Sequence, residues 1–234
     1  MLAMPPEVFG ELFPLFSAAS PETTQWLLSV ATQHNYPAHR AIVMEDAWGN
    51  AVYFLEEGWV KVRRHVDDGF VTLAVLGRGD FFGEMAILDE SPRSTDVVAM
   101  TPVKLLSISA QRFIQTLFKD PQLHHRLLQL MVQRLRQSNG RFQLRHQPPA
   151  VKLASTLVAL QQAYGQPTEE GINIINLSPP DLADLSDITV EETQKIMDKL
   201  QEKNWLSVDA SQSILLIKQP KQMAHLASQS AGKR

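Results

Sequence analysis

Three hydrogen-bonding side chains stand close together in a mostly apolar stretch: Glu84, then Arg93 and Ser94 nine and ten positions on. A carboxylate accepts hydrogen bonds from sugar hydroxyls. A guanidinium offers a planar fork of donors matched to phosphate oxygens, and a serine adds one more donor. Gly83, just before the acid, lets backbone come close to a bound molecule. Together these residues make a pocket for a ribose joined to a phosphate. The plainer alternative is that Glu84 and Arg93 pair only with each other or with turn backbone.

The elements that must position them are short and β-prone. From about Ala41 to Ile108 the runs Ala51–Leu55, Trp59–Val66, Phe70–Leu76 and Val103–Ile108 are separated by turn signals. These breaks are Glu57-Gly58, Asp67-Asp68-Gly69 and Gly77-Arg78-Gly79-Asp80. Close, regular spacing of this kind predicts an antiparallel sandwich or roll, with Asp68-Gly69 as a hairpin turn. Ahead of it, Val8, Phe9, Leu12, Phe13 and Phe16 form an apolar stripe at helical spacing, and Ser20-Pro21-Glu22 opens a short helix running through Ala31.

After the roll, Ser109 caps a helix ending near Lys119, and Asp120-Pro121 starts a long one reaching His146. Along it Leu128, Met131, Leu135, Ser138, Phe142 and Arg145 alternate spacings of three and four, a heptad seam. The seam reads as a parallel dimer helix or as a helix packed on its own domain. Gln147-Pro148-Pro149 ends it. A helix over 150–164, a strand over Ile172–Leu177, two helices over 179–186 and 189–203, and a hairpin of Leu206–Val208 with Ile214–Ile217 follow. That order is a winged helix-turn-helix. From Gln219 the chain is polar and reads as a fraying tail. The fold class is therefore α+β. The predicted domains are a β-roll over 1–119, a dimerisation helix and hinge over 120–147, a winged helix-turn-helix over 148–218 and a flexible tail over 219–234.

Bulk properties narrow the function. The chain has 234 residues, enough for one large or two small domains, and a net charge of -3 that does not advertise a nucleic-acid binder. It has no cysteine, which removes disulfides and cysteine-ligated iron–sulfur sensing. The seven histidines show no metal-ligand spacing with carboxylates, and none is singled out as a haem ligand. No general base lies at a useful spacing from the hydroxyls near Ser178. An enzyme, a metal site and a cofactor are not expected. With no apolar run near the ~20 residues that span a bilayer and no secretory pattern over Met1 to Pro6, the expectation is a cytoplasmic protein without membrane contact.

The run Leu76-Gly77-Arg78-Gly79-Asp80-Phe81-Phe82-Gly83-Glu84-Met85-Ala86-Ile87-Leu88, followed by Pro92-Arg93-Ser94, resembles the phosphate-binding cassette of cyclic-nucleotide-binding domains. With the long helix and the helix-turn-helix in that order, residues 8–218 resemble the CRP/FNR family of bacterial ligand-sensing transcription regulators. The resemblance implies that Glu84 holds a ribose 2′-hydroxyl and that Arg93 neutralises a cyclic phosphate. Ser94 and the backbone near Gly83 complete the cradle, with Met85, Ala86 and Thr95 around it. It also implies a homodimer through helix 121–146. There Ser138 and Asn139 would meet the adenine of cAMP, Asn139 reaching the partner's ligand. A cyclic dinucleotide such as c-di-GMP is the alternative ligand. Its second phosphate would use Arg63, Arg64, Arg134, Arg136 or Arg141, which otherwise read as a solvated face. Departures from the family pattern are Thr95 and Asp96 beside the phosphate, Gly140 in the dimer helix and His39 in the first turn of the roll.

For DNA, the resemblance points to Thr189, Val190, Glu191, Thr193, Gln194 and Lys195 at the start of the recognition helix. DNA-binding relatives often place arginine where Val190 stands, and Asp187 replaces a common turn glycine. Between Ser178 and Glu202 seven acids face two lysines, which opposes the cationic phosphate contacts on which DNA affinity rests. Helix-dipole placement accounts for Asp181, Glu191 and Glu192 structurally. Lys152, Lys203, Lys218 and Lys221 are the flanking cations that could reach phosphates. Two readings follow. One is a cyclic-nucleotide-responsive transcription regulator that binds DNA and meets RNA polymerase. The other is a ligand-binding adaptor with a degenerate helix-turn-helix, acting through a protein partner such as another regulator.

Overall fold

A computed structural model of the chain describes residues 5–67, 69–209 and 211–229. The chain divides into two compact units, the break falling after Arg136.

The first unit begins with helix α1 (Pro6–Leu12), a short 3-10 turn (Phe16–Ala18) and α2 (Pro21–Val30). Ser20 caps α2 by accepting the N–H of Thr23 at 3.1 Å, and Pro21 fills the first turn, where no donor is missed. Strands β1 (Thr32–Tyr36), β2 (Ala41–Val43), β3 (Ala51–Glu57), β4 (Val60–Val66), β5 (Gly69–Leu76) and β6 (Phe81–Phe82) follow. Then come helix α3 (Glu84–Leu88), β7 (Asp96–Ala99), β8 (Val103–Ser109), α4 (Ala110–Lys119) and α5 (Pro121–Gln143). The strands form two antiparallel sheets, ordered β1-β8-β3-β6 and β2-β7-β4-β5. β4 and β5 pair as the predicted hairpin, but Asp68 of its turn lies outside the described residues. β1, β2 and β7 are strands that the sequence pattern did not announce.

Strand alternation splits β3 between two cores. Val52 and Phe54 face the helices and join Phe9, Phe13, Phe16, Phe113 and Leu127. Tyr53 and Leu55 face the other sheet and join Val43, Val60, Phe82, Val97 and Leu105. The Phe9 and Phe16 rings stack at 4.6 Å, and Phe54 meets Phe16 at 4.9 Å and Phe13 at 5.5 Å.

On α5 one position of the predicted seam turns inward. Met131 packs into the unit's own core, while Val132 is exposed in line with Leu128, Leu135 and Phe142. The helix ends at Gln143, and a 3-10 turn takes Leu144–His146.

The second unit holds α6 (Pro149–Tyr164), β9 (Gln166–Pro167), β10 (Ile172–Ile175), α7 (Pro179–Ser186) and α8 (Val190–Glu202). β11 (Leu206–Asp209), β12 (Ile214–Ile217) and α9 (Pro220–Ser228) complete it. Its sheet runs β11-β12-β10-β9. The tail expected to fray from 219 instead forms α9, which packs on α6 and buries Met223 completely. An apolar Met223 flanked by Pro220 at the first turn was the available signal. Among the described residues, no helix is long and apolar enough to cross a membrane.

Candidate functional site

Gly83 carries the geometry of the site. It turns between β6 and α3 at φ 86°, in the left-handed region that disfavours a side chain, and a Cβ there would lie 2.6 Å from Nη1 of Arg93. Gly49 clears the other side, since a Cβ on it would overlap the same guanidinium. Arg93 is held by the loop before β3: its N–H donates to the Ala47 carbonyl at 2.9 Å, and its own carbonyl accepts from Asp46 N–H at 2.8 Å. The guanidinium is buried. Nη1 donates to the Gly83 carbonyl and Nη2 to that of Ala51 at 2.6 Å. A guanidinium has more N–H donors than two carbonyls absorb, so the fork is fixed in place with donors left for an anion. Burial lowers its pKa, opposed by Tyr53 and Glu84.

Glu84 is the second buried charge, 2% exposed. Its partner is neither Arg93 nor a turn N–H alone: Nη1 of Arg134, from α5, donates to Oε1 of Glu84. Nη2 of Arg134 donates to the Phe81 carbonyl at 2.7 Å, and the guanidinium lies 4.4 Å from the centre of the Phe81 ring. Arg134, offered by the sequence for a second phosphate or a solvated face, is thus tied to the cassette carboxylate. Burial pushes the Glu84 carboxyl above its ordinary value; Arg134 and the residue's own N–H pull back, followed by Arg93.

That shift has a consequence for stability. Between the ordinary carboxylate value and the raised one, the native chain holds more protons than the unfolded chain. The contribution of Glu84 to stability therefore falls as pH rises through this window. Glu84→Gln removes the titration. Thermal melts of both proteins, taken from the carboxylate range to neutrality, are expected to show the wild type losing ground to the variant as pH rises; parallel curves would contradict the shift.

The remaining cassette residues separate by exposure. Ser94 is exposed and Thr95 half-buried, Met85 is 62% exposed on α3, and Ala86 is half-buried. Asp96 is paired rather than left as a free charge beside Arg93. Its Oδ2 accepts from Nε and Nη2 of Arg63, both at 3.2 Å, and its Oδ1 accepts Glu45 N–H at 2.9 Å. Arg63 also stacks 3.6 Å from the Phe70 ring centre, and Arg64 pairs with Glu45. These two arginines have partners in their own unit. Ser138 and Asn139 are exposed on the part of α5 that belongs to the second unit.

In the helix-turn-helix, several assignments change. Thr193 is fully buried, its hydroxyl donating to the Thr189 carbonyl at 3.0 Å, so it cannot read bases. Thr189 and Glu192 form a reciprocal capping box. Val190, Glu191, Gln194 and Lys195 are exposed, and Gln194 donates to Asp198 at 2.9 Å. Asp187 takes the left-handed conformation, φ 51° and ψ 53°, so the turn keeps the shape that glycine supplies elsewhere. Lys152 is not a loose cation: its ammonium donates to the carbonyl and to Oδ2 of Asp187, both at 2.9 Å. Lys218 bonds Asn204 at 3.0 Å, and Lys203 lies 5.5 Å from the Trp205 ring centre.

A roll with this cassette, followed in the chain by a long helix and a winged helix-turn-helix, defines the class of ligand-responsive transcription regulators. The family model of the cyclic nucleotide-binding domain matches residues 33–120. The cyclic AMP receptor protein of Thermus thermophilus is 34% identical over 127 residues, which are 54% of this chain and 59% of that protein. The match thus spans under two thirds of that relative's length. The global nitrogen regulator of a Nostoc species is 32% identical over 162 residues, covering 67% of this chain and 73% of the relative. FixK2 of Bradyrhizobium japonicum shares the fold at a TM-score of 0.74 and 19% identity, over 86% of this chain and 100% of its own. The chain belongs to the CRP/FNR family.

Proposed function

We propose that this protein is a homodimeric transcription regulator switched by a cyclic nucleotide, with cAMP the first ligand to test. The observation that carries the reading is the convergence of two buried charges, Glu84 and Arg93, on the turn at Gly83. Arg134 holds Glu84 and two carbonyls hold Arg93, so both groups are in place before a ligand arrives. A ribose hydroxyl supplies a donor to Glu84, and a cyclic phosphate supplies acceptors to Arg93 and Ser94. The name of the Thermus relative, a cyclic AMP receptor, favours the same ligand. Arg134 shares the Glu84 carboxylate from α5, so a ligand that competes for or strengthens that contact biases the dimer helix. Leu128, Val132, Leu135 and Phe142 are exposed along α5; a second copy of the helix covers them. Ser138 and Asn139 then face the purine. The roll, the dimer helix with its hinge and the winged domain act as sensor, lever and output. Differential affinity of the ligand for two dimer arrangements is what drives the switch.

A second reading keeps the sensor and replaces DNA by a protein partner. Lys152 neutralises Asp187, Thr193 is buried, and Glu191 stands exposed at the start of α8. Those features weaken phosphate contacts. One experiment tests both. Calorimetry against cAMP, cGMP and cyclic di-GMP identifies the ligand; the liganded protein is then titrated with selected and random duplexes over a salt series. Specific binding with a steep salt slope supports the regulator. Ligand binding with no duplex binding at low salt supports the adaptor, and no binding of any cyclic nucleotide overturns the proposal.

A further inference from the structure

The ring of Tyr53 belongs to the core between the two sheets, but its hydroxyl takes no part in that packing. Tyr53 lies on the inner face of β3, opposite Phe82 of β6 in the ladder. Its ring stacks on the Phe82 ring with centroids 5.3 Å apart and planes 16° from parallel. That stack fixes the direction of the phenol. The two carbonyls that hold Arg93 bracket it in the chain: Ala51 is two positions earlier on the same strand, and Gly83 directly follows Phe82. Tyr53 packs toward the facing sheet, against the core that holds Val97 of β7, and Arg93 enters just ahead of β7, so the ring stands on the Arg93 side of β3.

The hydroxyl itself has no role in the packing. Tyr53 is half-buried, and no hydrogen bond joins its Oη to another described residue. A phenylalanine would fill the same space against Phe82 without bringing a polar atom into a half-buried site. Electrostatics agree with the geometry. Burial raises the phenol's pKa, Tyr36 adds to the rise, and the Arg93 cation opposes it. The phenol therefore stays protonated and remains a donor near neutrality.

We infer that the Tyr53 hydroxyl belongs to the ligand site, donating a hydrogen bond to the phosphodiester that Arg93 neutralises. Phosphodiester oxygens accept only, and a donor beside a fixed guanidinium gives a second, charge-assisted contact to the same group. Every cyclic mono- or dinucleotide presents that group, so the contact serves affinity for the phosphate rather than choice of base. The inference rests on the nucleotide reading of the cassette and adds a residue to it.

Tyr53→Phe is the direct test, because it removes one oxygen and keeps the stack. Calorimetry with cAMP and with cyclic di-GMP should show affinity for the bound nucleotide falling about ten- to a hundredfold, with the melting temperature of the free protein unchanged. The Rp and Sp phosphorothioate analogues of that nucleotide supply a readout that packing alone would not move. Replacing by sulfur the oxygen that faces Tyr53 should abolish most of the difference between wild type and variant, while the other diastereomer keeps it. Wild-type affinity in Tyr53→Phe overturns the inference and leaves the cassette reading intact. So does an equal loss for both diastereomers accompanied by a lower melting temperature, which assigns Tyr53 to packing. Absence of binding by the wild type overturns the cassette reading and takes this inference with it.

Discussion

Arg93→Ala is expected to abolish cyclic-nucleotide binding, with a loss of at least about a hundredfold in affinity. The guanidinium is 5% exposed and bonded to the Gly83 and Ala51 carbonyls, so its position does not depend on the ligand. Entropy that would be spent ordering an exposed arginine has already been spent in folding. Removing it leaves a phosphate anion to be desolvated with no cation to receive it, the costliest kind of unpaired burial. It also strips the two carbonyls of their donor, which should lower stability by about 1–3 kcal/mol. Arg93→Lys separates the two effects. It keeps the charge but loses the fork, so partial affinity is expected. Calorimetry on both variants, with denaturant melts to track stability, provides the check. Near-normal affinity in Arg93→Ala would refute the assignment of the pocket.

The largest effect on stability is expected from Phe54→Ala, about 3–5 kcal/mol. Phe54 is fully buried where helices and sheet meet. Its ring lies 4.9 Å from Phe16, 5.5 Å from Phe13 and 5.9 Å from Phe81. These partners come from separate elements, so no single shift can close the cavity left by the ring. The missing aromatic contacts add to the lost apolar burial. A urea titration should show a lower midpoint with an unchanged slope for the transition of the first unit. A loss below about 1 kcal/mol would mean that α1 and the Phe16 turn collapse onto β3 at little cost, against the interdigitation described above.

Much of this arrangement can be read from the chain because it is local. Gly83, Glu84, Arg93 and Ser94 lie within one turn and its return, and their chemistry follows from residue type alone. Ser20 and Thr189 announce helix starts in the same way, through caps that reach three residues. The strands β1, β2 and β7 are harder. β1 is polar along most of its length, with His34, Asn35 and Gln33 at a sheet edge. Its β character comes from pairing with β8, not from its own residues. Asp187 shows the same limit: it stands where glycine is common, yet aspartate tolerates the left-handed conformation and the turn keeps its shape.

The amino-acid order by itself carried the residue types of the cassette and the succession of elements, since periodicity, caps and the spacing of the cassette act over a few residues. Only the tertiary structure decided what each charge does. Arg134 is fifty positions from Glu84 and could have been a surface residue; Asp96 could have opposed a phosphate but pairs with Arg63; Lys152 could have sought DNA but neutralises Asp187. On α5 Met131 could have joined the exposed seam but packs inward, leaving Val132 outside. The reason is common to all four. A long flexible side chain, or a step around a helix, is settled by which distant surface folds against it, and sequence spacing carries no record of that distance.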